Sequence, residues 1–435
     1  MISNLLKRRI LGEATWALVG QVGSGIILLV GTRILTELVQ PEVFGQVALL
    51  VGIVALGVSI FSYPLISAGL RLLPDMSEEV ARRRLRESLA RLTRRSMILA
   101  ALLSATGGGV YCFVVKGDPW LFLVSGLLLM VTVNREFEIH LLIGDRRQRE
   151  ASLWQTTDSI ARSTFAVVLV LWGGANPTLV LLGYVVASAV TNGLWSLLIS
   201  PRALVAASAK PVGDRNTERE ILAYAWPLFP LVLLSWFSSL GDRYIIGIMM
   251  TASDVGLYAA AYTLINEAFN RSTMVIQRTF QPVYFLHFSQ GKHELAFRVF
   301  GIWLGCVIVL GIVGVLALVL LKDQVAMVLL AEKYHSASVL MPVIGAGCVL
   351  QSVGAVFSQT LLATKETKLL LIGRLCGAVT GAITIPLMVK FHGLMGAAVA
   401  APVYFGVEAI ALAFLARSWS PMPGNMRQTF APFGQ

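Results

Sequence analysis

Several arginines lie inside long apolar segments of the sequence, where a charged side chain is costly and therefore informative. Three of them are the main candidates for binding a ligand. Arg271 and Arg278 share one segment and Arg374 lies in another. Spacings of four and eleven residues place Glu267, Arg271 and Arg278 on one face of a helix. Because guanidinium groups pair with phosphate oxygens, such a face would suit a diphosphate or an acidic sugar. We therefore predict that Arg271, Arg278 and Arg374 line a cavity and bind substrate.

Other charged residues in these segments have a partner within helical reach. Glu267 lies four residues before Arg271, so an ion pair within the helix is the alternative to cavity lining. Asp158 and Arg162 have the same spacing, and we expect them to neutralise each other. Three further charged residues lie near the cytoplasmic end of the segment 119–142 and are expected to reach the membrane interface. They are Arg135, Glu136 and Glu138.

Two isolated acids and two prolines suggest coupling and movement. Glu13 and Glu408 are candidates for binding a coupling proton or cation. Pro227 and Pro230 interrupt the segment "YAWPLFPLVLLSWFSSLGDRY". Because proline inside a helix removes a hydrogen bond, we predict a kink there that acts as a hinge, with static packing as the alternative.

The elements that must position these residues follow from composition. Of the 435 residues, 56% are hydrophobic and 14% are charged, and the mean hydropathy is +0.75. Soluble domains average about 25% charged residues, so the composition predicts a polytopic membrane protein. The four cysteines occur singly, and the sequence has no metal-ligand or nucleotide-binding motif. We therefore predict no metal site, no cofactor and no enzymatic activity.

The apolar segments predict an all-α polytopic membrane fold. A membrane helix needs about 20 mostly apolar residues. Segments of this kind occur at 12–36, 43–69, 96–115, 119–142, 151–172, 176–198, 221–250, 255–287, 296–321, 336–363, 366–389 and 393–416. The segments 221–250 and 255–287 exceed one bilayer, so they must tilt, kink or extend into water.

The positive charges predict the orientation of these segments. With the N-terminus in the cytoplasm, most lysines and arginines of the loops fall on the cytoplasmic side, and both termini lie there. The net charge of +11 then reflects topology, so nucleic-acid binding is not expected. The most basic loop, 71–95, has Leu85, Leu89 and Leu92 at helical spacing. We predict an amphipathic helix lying on anionic headgroups, with binding of a substrate headgroup as the alternative.

An internal repeat divides the chain into two halves. Residues 32–53, "TRILTELVQPEVFGQVALLVGI", resemble residues 242–264, "DRYIIGIMMTASDVGLYAAAYTL". In each stretch an arginine near the end of one segment is followed by a polar turn and then by a glycine, Gly45 or Gly256. Such repeats are common in transporters and predict two six-helix halves in the same orientation.

The repeat places Arg33 and Arg243 at equivalent positions near the outer ends of their helices. Each has an acid close by, Glu37 or Asp242. This symmetric placement suits either an outer gate or a pair of structural ion pairs. The sequence predicts four regions: an N-terminal bundle (1–200), a cytoplasmic linker (201–220), a C-terminal bundle (221–417) and a cytoplasmic tail (418–435).

Four stretches resemble a known group of transporters. They are "TRILTELVQPEVFGQVAL", "GDRYIIGIMMTASDVGLYAAAYTL", "LLAEKYHSASVLMPVIG" and "LLATKETKLLL". They are similar to motifs of the polysaccharide transporter group in the multidrug/oligosaccharidyl-lipid/polysaccharide exporter superfamily.

The resemblance implies a Wzx-type flippase in the bacterial inner membrane. Such proteins move undecaprenyl-diphosphate-linked oligosaccharides to the outer leaflet by alternating access. The fold that the resemblance implies is two six-helix bundles with a central cavity. The implied partners are this substrate, membrane lipids, a polysaccharide polymerase and glycosyltransferases. Two alternatives are a multidrug or organic-cation antiporter of the same superfamily, which would need an acid-lined cavity, and a membrane scaffold for polysaccharide enzymes without transport of its own.

Overall fold

The computed structural model describes residues 2–72, 79–115, 118–145, 147–199, 215–364 and 366–419, which form helices joined by short connections. The first half contains α1 (Ile2–Leu38), α2 (Pro41–Phe61), α3 (Tyr63–Leu72), α4 (Glu79–Val115), α5 (Pro119–Gly144), α6 (Gln148–Gly173) and α7 (Pro177–Ile199). The second half contains α8 (Arg215–Ala225), a 3₁₀ turn (Trp226–Leu228), α9 (Phe229–Met249), α10 (Ala252–Ser289), α11 (His293–Leu329), a 3₁₀ segment (Glu332–Leu340), α12 (Met341–Ala363) and α13 (Thr367–Trp419).

The helices agree with the segments predicted from hydropathy. All twelve predicted segments lie on helices, and within the described residues eight stretches are long and apolar enough to cross a membrane. The last two predicted segments both lie in α13, which is broken at Gly393, where φ is 57° and ψ is −139°. A side chain would be strained in this left-handed conformation, so glycine allows the chain to turn there. The prediction of an all-α polytopic membrane fold is confirmed.

Prolines mark the beginnings of several helices. Pro41, Pro119 and Pro177 are the first residues of α2, α5 and α7. Proline suits this position because its fixed φ is helical and the first N–H of a helix has no partner within the helix. In α5 the preceding Asp118 also accepts a hydrogen bond from the backbone N–H of Trp120, at 3.0 Å. The sequence thus encodes these helix starts locally.

One compact unit comprises Met1–Leu240, Thr251–Leu257 and Val328–Tyr334. One of its apolar cores includes the fully buried Val133 and Leu181. Small residues bring its helices together: a Cβ on Gly20 of α1 would lie 2.6 Å from Cβ of Ser152 on α6.

The other unit comprises Gly241–Met250, Tyr258–Met327 and His335–Gln435. One of its cores is an aromatic cluster in which Tyr284 of α10 contacts Trp303 of α11, with ring centroids 6.4 Å apart. α11 exposes many large aliphatic side chains, as expected for a helix that faces lipid.

The amphipathic helix predicted in the basic loop has a different position. Residues from 79 onward belong to α4, which continues into the next predicted segment. Leu85 and Leu89 are fully buried and Leu92 is 7% exposed, in a cluster with Ile66 and Phe137. The prediction that this leucine stripe lies on headgroups is therefore wrong, because neighbouring helices of the same chain cover it.

The two predicted hinge prolines lie at a junction between helices. The 3₁₀ turn containing Pro227 separates α8 from α9, and Pro230 is the second residue of α9. At a helix start proline costs no backbone hydrogen bond. The chain passes from α8 to α9 through this one tighter turn, with helical φ and ψ at Ala225 and Phe229. A hinge at this junction stays a prediction.

Candidate functional site

The basic face predicted on α10 contains one paired and one unpaired arginine. Nε of Arg271 lies 2.6 Å from Oε2 of Glu267, one turn earlier. Arg278, two turns further on, is exposed and forms no ion pair with any residue that the structure describes. Glu267 therefore compensates the charge of Arg271, whereas the charge of Arg278 is available to a ligand.

Asp242 is buried and held by groups other than the guanidinium of Arg243. Its Oδ2 accepts a hydrogen bond from the Tyr258 hydroxyl at 2.6 Å, and its Oδ1 accepts one from the backbone N–H of Arg243 at 2.8 Å. The Arg243 guanidinium lies over the ring of Tyr262, 5.2 Å from its centroid. Sequence reasoning missed both tyrosines, although their spacing of four residues in "LYAAAY" places them on one helix face.

Arg33 forms the pair suggested by its spacing, with Nη2 2.7 Å from Oε1 of Glu37. Two further contacts hold this end of α1. The hydroxyl of Thr36 accepts a hydrogen bond from the backbone N–H of Ala331 at 3.2 Å, and the Tyr334 hydroxyl donates one to the carbonyl of Val39 at 3.1 Å. Sequence spacing gave no indication of these contacts, since the partners are 295 residues apart.

The repeat-related glycines Gly45 and Gly256 bring the first turns of α2 and α10 into contact. A Cβ on Gly45 would overlap the carbonyl oxygen of Ala252, and a Cβ on Gly256 would overlap that of Pro41. The contact is reciprocal, because each glycine meets the first residue of the opposite helix. Only glycine allows two helix backbones to approach so closely.

Arg374 and Glu408, predicted for separate roles, form one ion pair. Nη1 of Arg374 lies 2.6 Å from Oε1 of Glu408, and the Glu408 side chain is 1% exposed. They lie 34 residues apart, so helical spacing could not relate them. Within the described residues, Oε2 of Glu408 is buried without a hydrogen-bond partner. Arg374 therefore neutralises the buried carboxylate of Glu408. The role of Glu408 in ion coupling stays a prediction.

Alanine substitutions at Gly377 and Gly381 test how closely the parts of α13 before and after Gly393 pack against each other. We expect Gly377→Ala to lower the free energy of unfolding by about 1–3 kcal/mol, because its Cβ would lie 2.7 Å from Oε2 and 2.8 Å from Cβ of Glu408. At Gly381 the nearest atom, Cγ of Tyr404, is 3.4 Å away, so alanine there should be neutral or slightly stabilising. Thermal unfolding in detergent measures both; equal losses would contradict the packing described.

A second charged cluster surrounds Asp158 in the first unit. The carboxylate accepts hydrogen bonds from Ser188 at 3.1 Å and Thr191 at 2.9 Å. It also contacts Arg135 and lies 3.0 Å from Nε of Arg162. Asp158 is 2% exposed, so two guanidiniums and two hydroxyls satisfy a fully buried charge.

The position of Arg135 corrects its sequence-based assignment. Its side chain is 14% exposed and pairs with Asp158 of α6 and with the neighbouring Glu136. The prediction that it reaches the membrane interface is wrong, because the carboxylate of an adjacent helix holds it inside. Glu138 is exposed, and its position at the membrane interface stays a prediction.

The side chains of Glu13 and Pro227 lie outside the described part of the structure, so their predicted roles have no structural account. Among the residues that are described, no group of three or more His, Cys, Asp or Glu side chains could hold a metal ion.

The fold is shared with solved transporters. "Lipid II flippase MurJ, inward closed conformation" has a TM-score of 0.70 at 13% identity, covering 92% of this chain and 87% of that one. An inward-facing multidrug resistance MATE family transporter of the MOP superfamily has a TM-score of 0.66 at 15% identity, covering 97% and 95%. A MOP superfamily transporter from Pyrococcus furiosus has a TM-score of 0.56 at 13% identity, covering 95% of each chain.

These similarities define the class: a multi-pass membrane protein with the fold of the MOP superfamily transporters. The chain belongs to the family described as polysaccharide biosynthesis protein, whose family model matches residues 10–285. A comparison with curated proteins finds no match. The family resemblance drawn from sequence is thereby confirmed.

Proposed function

We propose that the protein is a flippase that moves undecaprenyl-diphosphate-linked oligosaccharide repeat units of O-antigen or exopolysaccharide across the inner membrane by alternating access. The basic face of α10 carries this proposal. Arg278 is exposed and unpaired within the described residues, and Arg271 lies on the same face two turns away. Guanidinium groups form paired hydrogen bonds with phosphate oxygens, so the two side chains suit a diphosphate headgroup. The polysaccharide biosynthesis family supports the same substrate class.

The direction of transport fits the membrane potential. A diphosphate carries about two negative charges, and an inside-negative potential drives negative charge outward. The movement of each charge to the outside is favoured by about 2.3 kcal/mol per 100 mV. The remaining obstacle is the polar headgroup, which must cross the hydrocarbon layer. A wet basic surface would lower that cost while the polyprenyl tail stays in lipid. In this proposal both termini are cytoplasmic, and a polymerase and glycosyltransferases are the expected partners.

Loss of the two α10 arginines tests the proposal. We expect Arg271→Ala/Arg278→Ala to reduce flipping of a fluorescent undecaprenyl-linked oligosaccharide in proteoliposomes by about tenfold or more, since hydrogen bonds to charged groups contribute about 1.5–3 kcal/mol each. Arg278→Ala alone should cost more than Arg271→Ala, because Glu267 already compensates Arg271.

The control is Arg298→Ala, which removes an exposed arginine from α11. It should leave flipping at the level of the unaltered protein, and all variants should insert normally. Full activity of the double variant would overturn the proposed role of α10.

The charge distribution disfavours the organic-cation antiporter. The buried acids Asp242 and Glu408 are held by Tyr258 and Arg374, and Glu267 is neutralised by Arg271. On the face of α10 that carries Glu267, Arg271 and Arg278, the uncompensated charge is positive, which would repel a cationic substrate. If the protein were such an antiporter, Glu408→Gln would be more damaging than loss of Arg278. If it were a scaffold, polysaccharide enzymes would assemble with it while the proteoliposomes showed no flipping.

A further inference from the structure

One face of α8 is fixed to the first unit. Ile221 is fully buried in the apolar cluster that includes Leu85 and Leu89. Glu218 lies 3.1 Å from Nε of Arg91 and 2.9 Å from Nη1 of Arg95, both on α4. The packing and the shared carboxylate together determine which side of α8 points away from the protein.

The uncovered side of α8 is amphipathic. Arg219, Leu222 and Trp226 follow at intervals of three and four residues, so they lie on one side of the helix. Arg219 is exposed, and Leu222 and Trp226 are 49% and 78% exposed. Trp226 stacks on Phe229, the first residue of α9, with ring centroids 6.1 Å apart. This tryptophan lies in the turn that directly precedes the start of α9, a helix that is long and apolar enough to cross a membrane.

The surroundings of this side are basic. Arg219 is exposed, and so is Arg94, the residue before Arg95 on α4. Neither forms an ion pair within the described residues. Glu218 neutralises one of the two arginines that share it, and Glu220 adds one exposed acid. The local balance therefore stays positive.

We propose that the exposed side of α8, with Arg94 beside it, is a binding surface for anionic phospholipid headgroups. Tryptophan is enriched at the membrane interface, where its ring lies at headgroup level. An interfacial helix of this type combines apolar insertion with attraction between arginine and anionic lipid. Leu222 and Trp226 supply the insertion, while Arg94 and Arg219 supply the attraction. The inference is independent of the transported substrate.

Lipid titration of the purified full-length protein tests this surface. Native mass spectrometry would count bound phosphatidylglycerol and phosphatidylcholine separately. We expect tighter binding of phosphatidylglycerol, and a loss of about twentyfold for that lipid alone in Arg94→Gln/Arg219→Gln, since each arginine near an anionic surface contributes about fivefold. Lys292→Gln/Lys390→Gln removes the same charge from exposed positions elsewhere and should leave binding unchanged.

The apolar part has its own test. Leu222→Ser/Trp226→Ser should weaken the binding of both lipids, whereas Trp172→Ser, at a site 92% exposed on α6, should not affect the lipid bound at α8. Thermal unfolding checks that each variant folds. Equal binding of the two lipids to the unaltered protein would overturn the proposal. So would unchanged phosphatidylglycerol binding by the double arginine variant, which would point to a protein partner on this surface.

Discussion

Replacing Asp158 by alanine should lower the free energy of unfolding by about 3–5 kcal/mol, because it leaves buried cations without their counter-ion. Arg135 and Arg162 both contact this carboxylate, and their side chains are 14% and 25% exposed. Two hydroxyls that donate to Asp158 would also lose their acceptor. Circular dichroism of the purified protein during thermal unfolding in detergent measures the effect.

The exposed pair Arg33–Glu37 provides the matched control. Its ions are 33% and 54% exposed, so Glu37→Ala should cost no more than about 1 kcal/mol. Removing Arg162 together with Asp158 should restore part of the lost stability, because one of the unbalanced cations is then absent. If Asp158→Ala unfolded at the same temperature as Glu37→Ala, the cluster would not contribute to stability as described.

Alanine at Gly45 should lower the free energy of unfolding by about 1–3 kcal/mol, with a similar loss for alanine at Gly256. In both cases the new Cβ overlaps a backbone carbonyl, which cannot rotate away as a side chain can. The first turns of α2 and α10 would have to separate. The double variant should cost less than the sum of the single ones, because both substitutions disrupt the same contact.

Alanine should instead stabilise the protein slightly where it replaces a glycine with no close neighbour. A Cβ at Gly193 of α7 or at Gly301 of α11 meets no atom within 4 Å. Alanine favours a helix over glycine by about 1 kcal/mol, so Gly193→Ala and Gly301→Ala should raise the unfolding temperature slightly. A loss at these positions equal to that at Gly45 would show that the close approach of the backbones is not the cause.

The helical architecture could be predicted because its physical basis is local. Twenty apolar residues fold as a helix in lipid whatever surrounds them, since each backbone group must find its hydrogen bond within the segment. The pairs Glu267–Arg271 and Arg33–Glu37 were also local, because four residues make one helical turn. The repeat could also be recognised from local sequence, because in each half a short polar turn is followed within a few residues by a glycine, Gly45 or Gly256.

The partners of the remaining charges depended on how helices pack. Arg374 meets Glu408 and Arg135 meets Asp158 across helices, at separations of 34 and 23 residues that no periodicity relates. Likewise, the leucine stripe of α4 is amphipathic whether lipid or protein covers it, and only the positions of neighbouring helices decide between the two. Sequence by itself determined which segments cross the membrane and which residues are charged there. The tertiary structure decided which of those charges are neutralised and leaves Arg278 uncompensated among the described residues of α10.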